Sequence, residues 1–376
     1  MDRIRLLYIS GTYAPQAFAG SELSAHTLLK GLAFGHDVEV LIATDIRLVG
    51  DNQELYEGLR LRGISHDNRE LEIRETIARF SPDAIFTQPW WHDVALRLGG
   101  EAGVPTIFRV TGWPMPIDFL VNNPFSPSHV IVQTEEVQQA LRSAGCPSTL
   151  LPAFIDLHRV RSNTPKTRRY ITMFNPIELK GGFIFRAIAE SMPDRAFAVV
   201  PGWSSLRDQM GNFDSELFRR AYESQGQVYD GSVPVEPDFR ALENVVVLRA
   251  RDEVAEIFDQ TRILLFPAIW KEQFGRVIFE AAANGAAVIA SGMASLRENA
   301  GDAAVYVNDF QNASSWAEAI MQFDDPVAYA ERSRRGQQYV LENYDLGRSV
   351  AKFFTLLQGV VGRSHEVGFR SENVGP

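Results

Sequence analysis

Two glutamates eight residues apart, Glu272 and Glu280, and a lysine set before two glycines, Lys180, are the side chains of this 376-residue chain best placed to do chemistry. The glutamates lie in LLFPAIWKEQFGRVIFEAAANGAAVIAS, residues 264–291. There an apolar strand ends in Pro267, a short loop carries Glu272, and helical periodicity starts near Phe274 and runs through Ala283 to a stop at Gly285. On a continuous helix eight residues rise about 12 Å and leave a net rotation of about 80°. The spacing therefore predicts Glu272 at the helix mouth and Glu280 two turns in, a separation comparable to a sugar diphosphate with its ribose. Unpaired amides at Phe274, Gly275 and Arg276, at the positive end of the helix dipole, would receive phosphate between them. Gly275 would let backbone approach a ligand closely. In MFNPIELKGG, Lys180 and Gly181 follow another strand, an economical way to bring an ammonium to a diphosphate whose charge grows as a leaving group departs.

Framed by FPAIWKEQFG before and EAAANGAAVIAS after, the Glu-x7-Glu pair resembles the signature of the retaining glycosyltransferases of family 4. That family has the GT-B fold, two Rossmann-like domains facing a central cleft, and the resemblance runs over residues 1 to about 350. It implies that Glu272 bonds hydroxyls of a donor sugar and Glu280 holds the nucleotide ribose. Gln273, Phe274, Gly275, Arg276 and Val277 would line the donor between them, and Lys180 would carry the diphosphate. The loop Ala19, Gly20, Ser21, Glu22 in YAPQAFAGSELSAH corresponds to the family's glycine loop, so amides at Gly20 and Ser21 would face diphosphate or sugar.

The chain also departs from the family pattern. Asn175 stands five residues before Lys180 where an arginine is usual, leaving Arg251 or Arg276 as replacement phosphate clamps. Gln88 and Thr111 stand where histidines near the reacting sugar are common, and Ala153 and Phe154 replace the usual Asn-Gly. Beside Gln88, the run QPWWHD places Trp90, Trp91 and His92 at the carboxyl edge of a strand, where ligands bind in open α/β sheets. These side chains and Thr111 are acceptor candidates, with His92 a catalytic one; tryptophans packed in the core beside a hydrogen-bonded histidine fit the same residues. His36, in a helix-to-strand turn, reads as structural. No Asp-x-Asp occurs, so the diphosphate is expected to be met by Lys180 and helix amides, with no metal and no cofactor.

The elements that must position these residues alternate as in an α/β protein with parallel sheets. Strand candidates are residues 4–10, 38–43, 84–87, 106–110 and 129–133 in the first half, and 169–174, 196–200, 245–249, 263–267 and 287–291 in the second. The reading gives an N-terminal acceptor domain over residues 1–155, a basic linker over 156–169, a nucleotide-sugar domain over 170–350, and a C-terminal helix and tail over 351–376, the helix packing back on the N-domain. Residues 203–240 form an unusually long polar insertion, and the end of the chain from Gly362 reads as a frayed tail.

Composition sets the outer limits. With 37 Lys and Arg against 47 Asp and Glu the net charge is -10, which argues against nucleic acid as a partner. A single cysteine, Cys146, fits a reducing, cytoplasmic setting. No run of apolar residues is long enough to span a bilayer, and no basic stripe or apolar helix supports membrane association. The expected partners are a nucleotide-sugar donor and a small-molecule or saccharide acceptor. A nucleotide-sugar epimerase or hydrolase on the same fold, or a silent GT-B subunit supporting a partner transferase, are the alternatives.

Overall fold

The computed structural model describes residues 3–14, 19–45, 55–111, 117–162, 166–202, 236–248 and 254–372, with backbone alone at 117–118 and 364–372. The chain divides into two compact units, one of residues 1–111, 115–154 and 346–376, the other of residues 112–114 and 155–345.

Unit 1 is built on the strands β1 (Ile4–Ile9), β2 (Val38–Asp45), β3 (Leu55–Tyr56), β4 (Leu59–Ile64), β5 (Ala84–Thr87), β6 (Thr106–Arg109), β7 (His129–Val132) and β8 (Ser148–Leu150). Their order is β3-β4-β2-β1-β5-β6-β7-β8, parallel except for the β3-β4 hairpin. That hairpin turns on Glu57 and Gly58, both at positive φ, as a two-residue turn between twisted strands requires. Both faces of the sheet are covered, so its central strands are largely apolar. Leu6 and Tyr8 of β1 join the cluster under helices Gly20–Gly35 and Leu346–Glu372, while Leu7 and Ile9 join the one under Arg69–Phe80 and His92–Glu101.

The last helix belongs to unit 1. Val350, Phe353, Leu357 and Val360 recur every three or four residues and bury one stripe in the β1 cluster. A side chain at Gly31 would meet Val350 at 2.8 Å, so glycine there sets how closely the two helices approach. The helix runs to Glu372, past Gly362 where a frayed tail was expected.

Unit 2 carries β9 (Tyr170–Phe174), β10 (Phe197–Val200), β11 (Val245–Val247), β12 (Thr261–Phe266), β13 (Ala287–Ser291) and β14 (Val305–Val307), all parallel, in the order β11-β10-β9-β12-β13-β14. One face packs on helices Gly182–Ser191 and Ala313–Met321 through Phe185, Ile188, Trp316 and Ile320. Strands β3, β4, β8 and β14 were not expected from the sequence.

The expected linker is a correction. Residues 156–169 belong to unit 2, and the described ones, 156–162 and 166–169, are docked by polar side chains. Asp156 caps the short helix Leu157–Val160, Ser162 Oγ and Lys166 Nζ each reach the Asp259 carboxylate at 2.6 Å, and Asn284 Nδ2 donates to the Val160 carbonyl at 2.7 Å. Arg168 Nη1 donates to the Phe258 and Thr261 carbonyls. Two basic side chains of the segment, Lys166 and Arg168, thus bind unit 2. The long insertion of residues 203–240 lies mostly outside the described residues. No helix among the described residues is long and apolar enough to cross a membrane.

Candidate functional site

In an open parallel sheet, ligands bind beyond the carboxyl ends of the strands where the strand order reverses. In unit 2 that point lies between β9 and β12. Lys180 closes the short 3-10 turn Glu178–Lys180 after β9, and Glu272 follows β12. The two meet there as an ion pair, Lys180 Nζ on Glu272 Oε2, with side chains only 16% and 12% exposed. Trp270 Nε1 donates to the same carboxylate oxygen at 3.0 Å, and the ammonium lies 4.5 Å from the Trp270 ring centre. Burial alone would raise the Glu272 pKa. The Lys180 charge, the hydrogen bonds from Lys180 and Trp270 and the Phe274 amide reverse this and hold the carboxyl below its ordinary value.

The loop that carries Glu272 is pinned along its length. Ile269 N and Trp270 N donate to the Leu179 carbonyl, which ties the loop to the lysine's turn. Ser291 Oγ donates to the Ala268 carbonyl at 2.7 Å, Ser295 Oγ to that of Glu272, and Asn299 Nδ2 to that of Gln273 at 2.8 Å. Gly181 is required by this closeness: its φ is 85°, and a Cβ there would fall 1.9 Å from the Pro267 carbonyl oxygen.

The helix begins later than its periodicity indicated. It spans Arg276–Ala283, and Gly275 caps it in the left-handed region at φ 71°. Glu272 therefore sits in a loop and not on a helix mouth, so the eight-residue helical geometry does not apply to the pair. Phe274, just before the cap, stacks on Phe279 with ring centres 4.3 Å apart, a hydrophobic staple that sets the entry of the chain into the helix. Glu280 lies one turn in, buried, with Arg276 Nε 2.6 Å from its Oε1. Arg276, a candidate phosphate clamp, is thus paired with the candidate ribose ligand. Val277 is half-buried in the same first turn.

Asn175, at the end of β9, has φ 52° and packs against Gly202; its Oδ1 finds no hydrogen-bond partner among the described residues. Arg251 lies outside the described residues. Gly20 and Ser21 belong to unit 1, apart from the other donor candidates.

Unit 1 has its own reversal of strand order, between β1 and β5. After β1 comes Gly11, whose amide donates to the Trp90 carbonyl at 3.2 Å and whose Cα faces the Trp91 indole. After β5 come Trp90 and Trp91, both left-handed at φ 78° and 65°, and then His92, which opens helix His92–Glu101. The His92 ring packs beside Phe108 and Phe119, and Trp91 against the β1–β5 apolar cluster. All three side chains are half-buried. Thr111, past the end of β6, is half-buried as well.

Gly20 and Ser21 open helix Gly20–Gly35, where Ser21 Oγ and Thr12 Oγ1 donate to the two Glu22 oxygens at 2.6 and 2.8 Å. Burial raises the Glu22 pKa, opposed only in part by these hydroxyls, by the Glu22 backbone amide and by the Arg109 charge. Arg109 itself, at the end of β6, is 1% exposed; its Nη2 donates to Ser24 Oγ at 2.8 Å and its guanidinium lies over Phe154. Sequence reading missed this arginine, although a charge inside the apolar run TIFRV was the available signal. It also missed Asp45 and His66, 3.5 Å apart at the ends of β2 and β4.

Among the described residues no three His, Cys, Asp or Glu side chains are grouped to hold a metal ion. A depression of about 440 Å³ bounded by Met192, Arg195, Ala317 and Met321 lies at the amino end of β10, away from the strand ends that carry the charged pair.

Residues 230–324 match the family model described as glycosyl transferases group 1. No curated protein matches the sequence. Among solved structures, the chain is similar to a glycosyltransferase from Rickettsia africae at 15% identity and a TM-score of 0.70, covering 96% of this chain and 99% of that one. Sucrose-phosphate synthase from Thermosynechococcus elongatus is 16% identical with a TM-score of 0.71, over 96% and 100% of the two chains. Anabaena HepE, solved with UDP and glucose, is 14% identical with a TM-score of 0.69, over 95% and 100%. At these identities the likeness is one of fold: the chain has the GT-B fold, with two Rossmann-like parallel-sheet domains.

Proposed function

We propose that the chain is a retaining glycosyltransferase, hexosyltransferase-like and of family 4, that moves a sugar from a nucleotide diphosphate sugar to an acceptor hydroxyl without a metal ion. The observation that carries this reading is the Lys180–Glu272 pair with Trp270 at the reversal of strand order in unit 2. The group 1 match over residues 230–324, which contains Glu272 and Glu280, supports it. So does the fold shared with HepE, which has been solved with UDP-glucose.

In this reading the donor is held by unit 2. Lys180 has three N–H donors, so one can face Glu272 while others reach diphosphate oxygens. Glu272, kept ionised, accepts from sugar hydroxyls; Glu280 accepts from the ribose; the amides around Gly275 receive phosphate. Acceptor determinants lie in unit 1, with Trp90, Trp91, His92 and Thr111 as candidates and the first turn at Gly20 and Ser21 supplying amides. The sugar C1–phosphate oxygen bond breaks, the acceptor oxygen bonds to C1 on the same face, and the acceptor proton passes to the departing phosphate oxygen. Lys180 neutralises the charge that develops there. The single cysteine supports a cytoplasmic setting.

The test is transfer from a panel of UDP, GDP and TDP sugars, with and without EDTA, reading product configuration by NMR. Retained configuration, nucleotide release that requires acceptor, and indifference to EDTA are expected. An inverted product would end the mechanism, and turnover to an epimer without acceptor would end the transferase reading.

A further inference from the structure

We propose that the carboxyl edge of the unit 1 sheet holds a seat for an uncharged, hydroxyl-bearing ring, formed by Asp45, His66 and Trp91; it rests on the transferase reading insofar as this ring is the acceptor. Four neighbouring strands deliver the parts. In the order β4-β2-β1-β5, Ile64 of β4 pairs with Asp45 of β2, His66 follows two residues later, Gly11 follows β1, and Trp91 follows β5. Residues 21 positions apart in sequence thus meet at one sheet edge, the edge where ligands of parallel sheets bind.

His66 Nδ1 lies 3.5 Å from Asp45 Oδ2, with the aspartate side chain 2% exposed and the histidine side chain 49% exposed. A buried carboxylate behind a half-exposed imidazole orients the ring. The backbone is held too: Ser65 N donates to Glu72 Oε2 at 3.1 Å, and Arg69 Nη1 to the His66 carbonyl at 3.2 Å. The Trp91 ring lies 6.3 Å from the His66 ring at 45°, so the two make an open corner. Trp90 and Trp91 reach this position in consecutive positive-φ conformations, which residues other than glycine rarely adopt. Gly11 carries no side chain because one would press on the indole at 3.0 Å.

An aromatic plane beside a hydrogen-bonding imidazole suits a ring that is apolar on its C–H faces and polar at its edge. The buried Asp45 carboxylate behind the imidazole disfavours an anionic ligand, in contrast to the ammonium of unit 2. A dyad that merely closes the β2–β4 edge would contribute to stability and leave ligand binding untouched.

Saturation-transfer NMR on the full chain with D-glucose, D-mannose, methyl α-D-glucopyranoside and glucose 6-phosphate tests this, alongside calorimetry with UDP and GDP. Neutral sugars should receive saturation. His66→Ala should weaken their binding about tenfold, and Asp45→Asn should act in the same direction, while nucleotide affinity stays within about twofold. Unchanged sugar binding in both variants would overturn the seat. So would a wild-type chain that binds UDP or GDP but none of the neutral sugars, or one that prefers glucose 6-phosphate. Sugar binding that responds to His66→Ala in a chain binding neither nucleotide would uphold the seat and defeat the transferase reading.

Discussion

Glu22 and Glu272 are both carboxylates buried near the carboxyl ends of a parallel sheet, one in each unit, and their ionisation is pushed in opposite directions. Desolvation is the largest influence on both and raises both. Glu272 has an ammonium in contact, an indole N–H and a backbone amide, which together reverse the effect. Glu22 has two neutral hydroxyls, its own backbone amide and the Arg109 charge, which do not. The contrast shows that one topology can supply different electrostatics at equivalent points. In the proposed reading, unit 2 places charge where a diphosphate would meet it, while unit 1 holds its charge inside and presents aromatic rings at its edge.

If that division is functional, its largest consequence is in turnover. Lys180→Ala and Glu272→Ala should each lower kcat about a hundredfold, close to 3 kcal/mol, because each removes a preorganised charge from the reacting region. Glu22→Gln should stay far nearer wild type. Steady-state kinetics with a fixed donor reads all three, and wild-type rates in both unit 2 variants would break the comparison at its base.

A smaller effect is expected one turn into the helix. Glu280→Ala removes the partner of Arg276 and the proposed ribose acceptor, so UDP affinity should fall about tenfold while kcat at saturation changes less. Calorimetry with uridine and with UDP sharpens the assignment. Equal losses for both ligands place Glu280 at the ribose, whereas a loss confined to UDP moves the effect to phosphate through the released Arg276.

Lys180 and Glu272 could be singled out because each lies in the loop after an apolar strand beside a local breaker, Pro267 before the glutamate and Gly181 after the lysine, but their pairing could not. The helix start was not, because the left-handed cap at Gly275 and the Phe274–Phe279 stack leave the apolar period unchanged. Strands β3, β8 and β14 have two or three residues each, too few to show a period, and β4 (LRLRGI) hides an alternating pattern behind two arginines. The linker was misjudged because docking to Asp259 and Asn284 depends on side chains more than 90 residues away. Asp45 with His66 depends on strand register in the same manner.

The smallest effect tests the comparison most directly, through pH. Glu272 titrates below its ordinary 4.5 in the folded chain, so its contribution to stability is fully present above that value and is lost as pH falls through the folded pKa. Glu22 has the opposite sign. Its folded pKa lies above 4.5, so the unfolded chain releases that proton first, and stability declines as pH rises from 4.5 to the folded value and then levels off. Melting temperatures from about pH 3 to 8 should therefore fall less steeply on the alkaline side in Glu22→Gln than in wild type, and less steeply on the acid side in Glu272→Gln. Gln at position 22 has the donor and acceptor pattern of a protonated carboxyl, so its curve should lie near wild type below pH 4.5. Curves for the two variants that run parallel to wild type would mean that neither carboxylate differs from its unfolded state, and the electrostatic distinction between the units would fall with them.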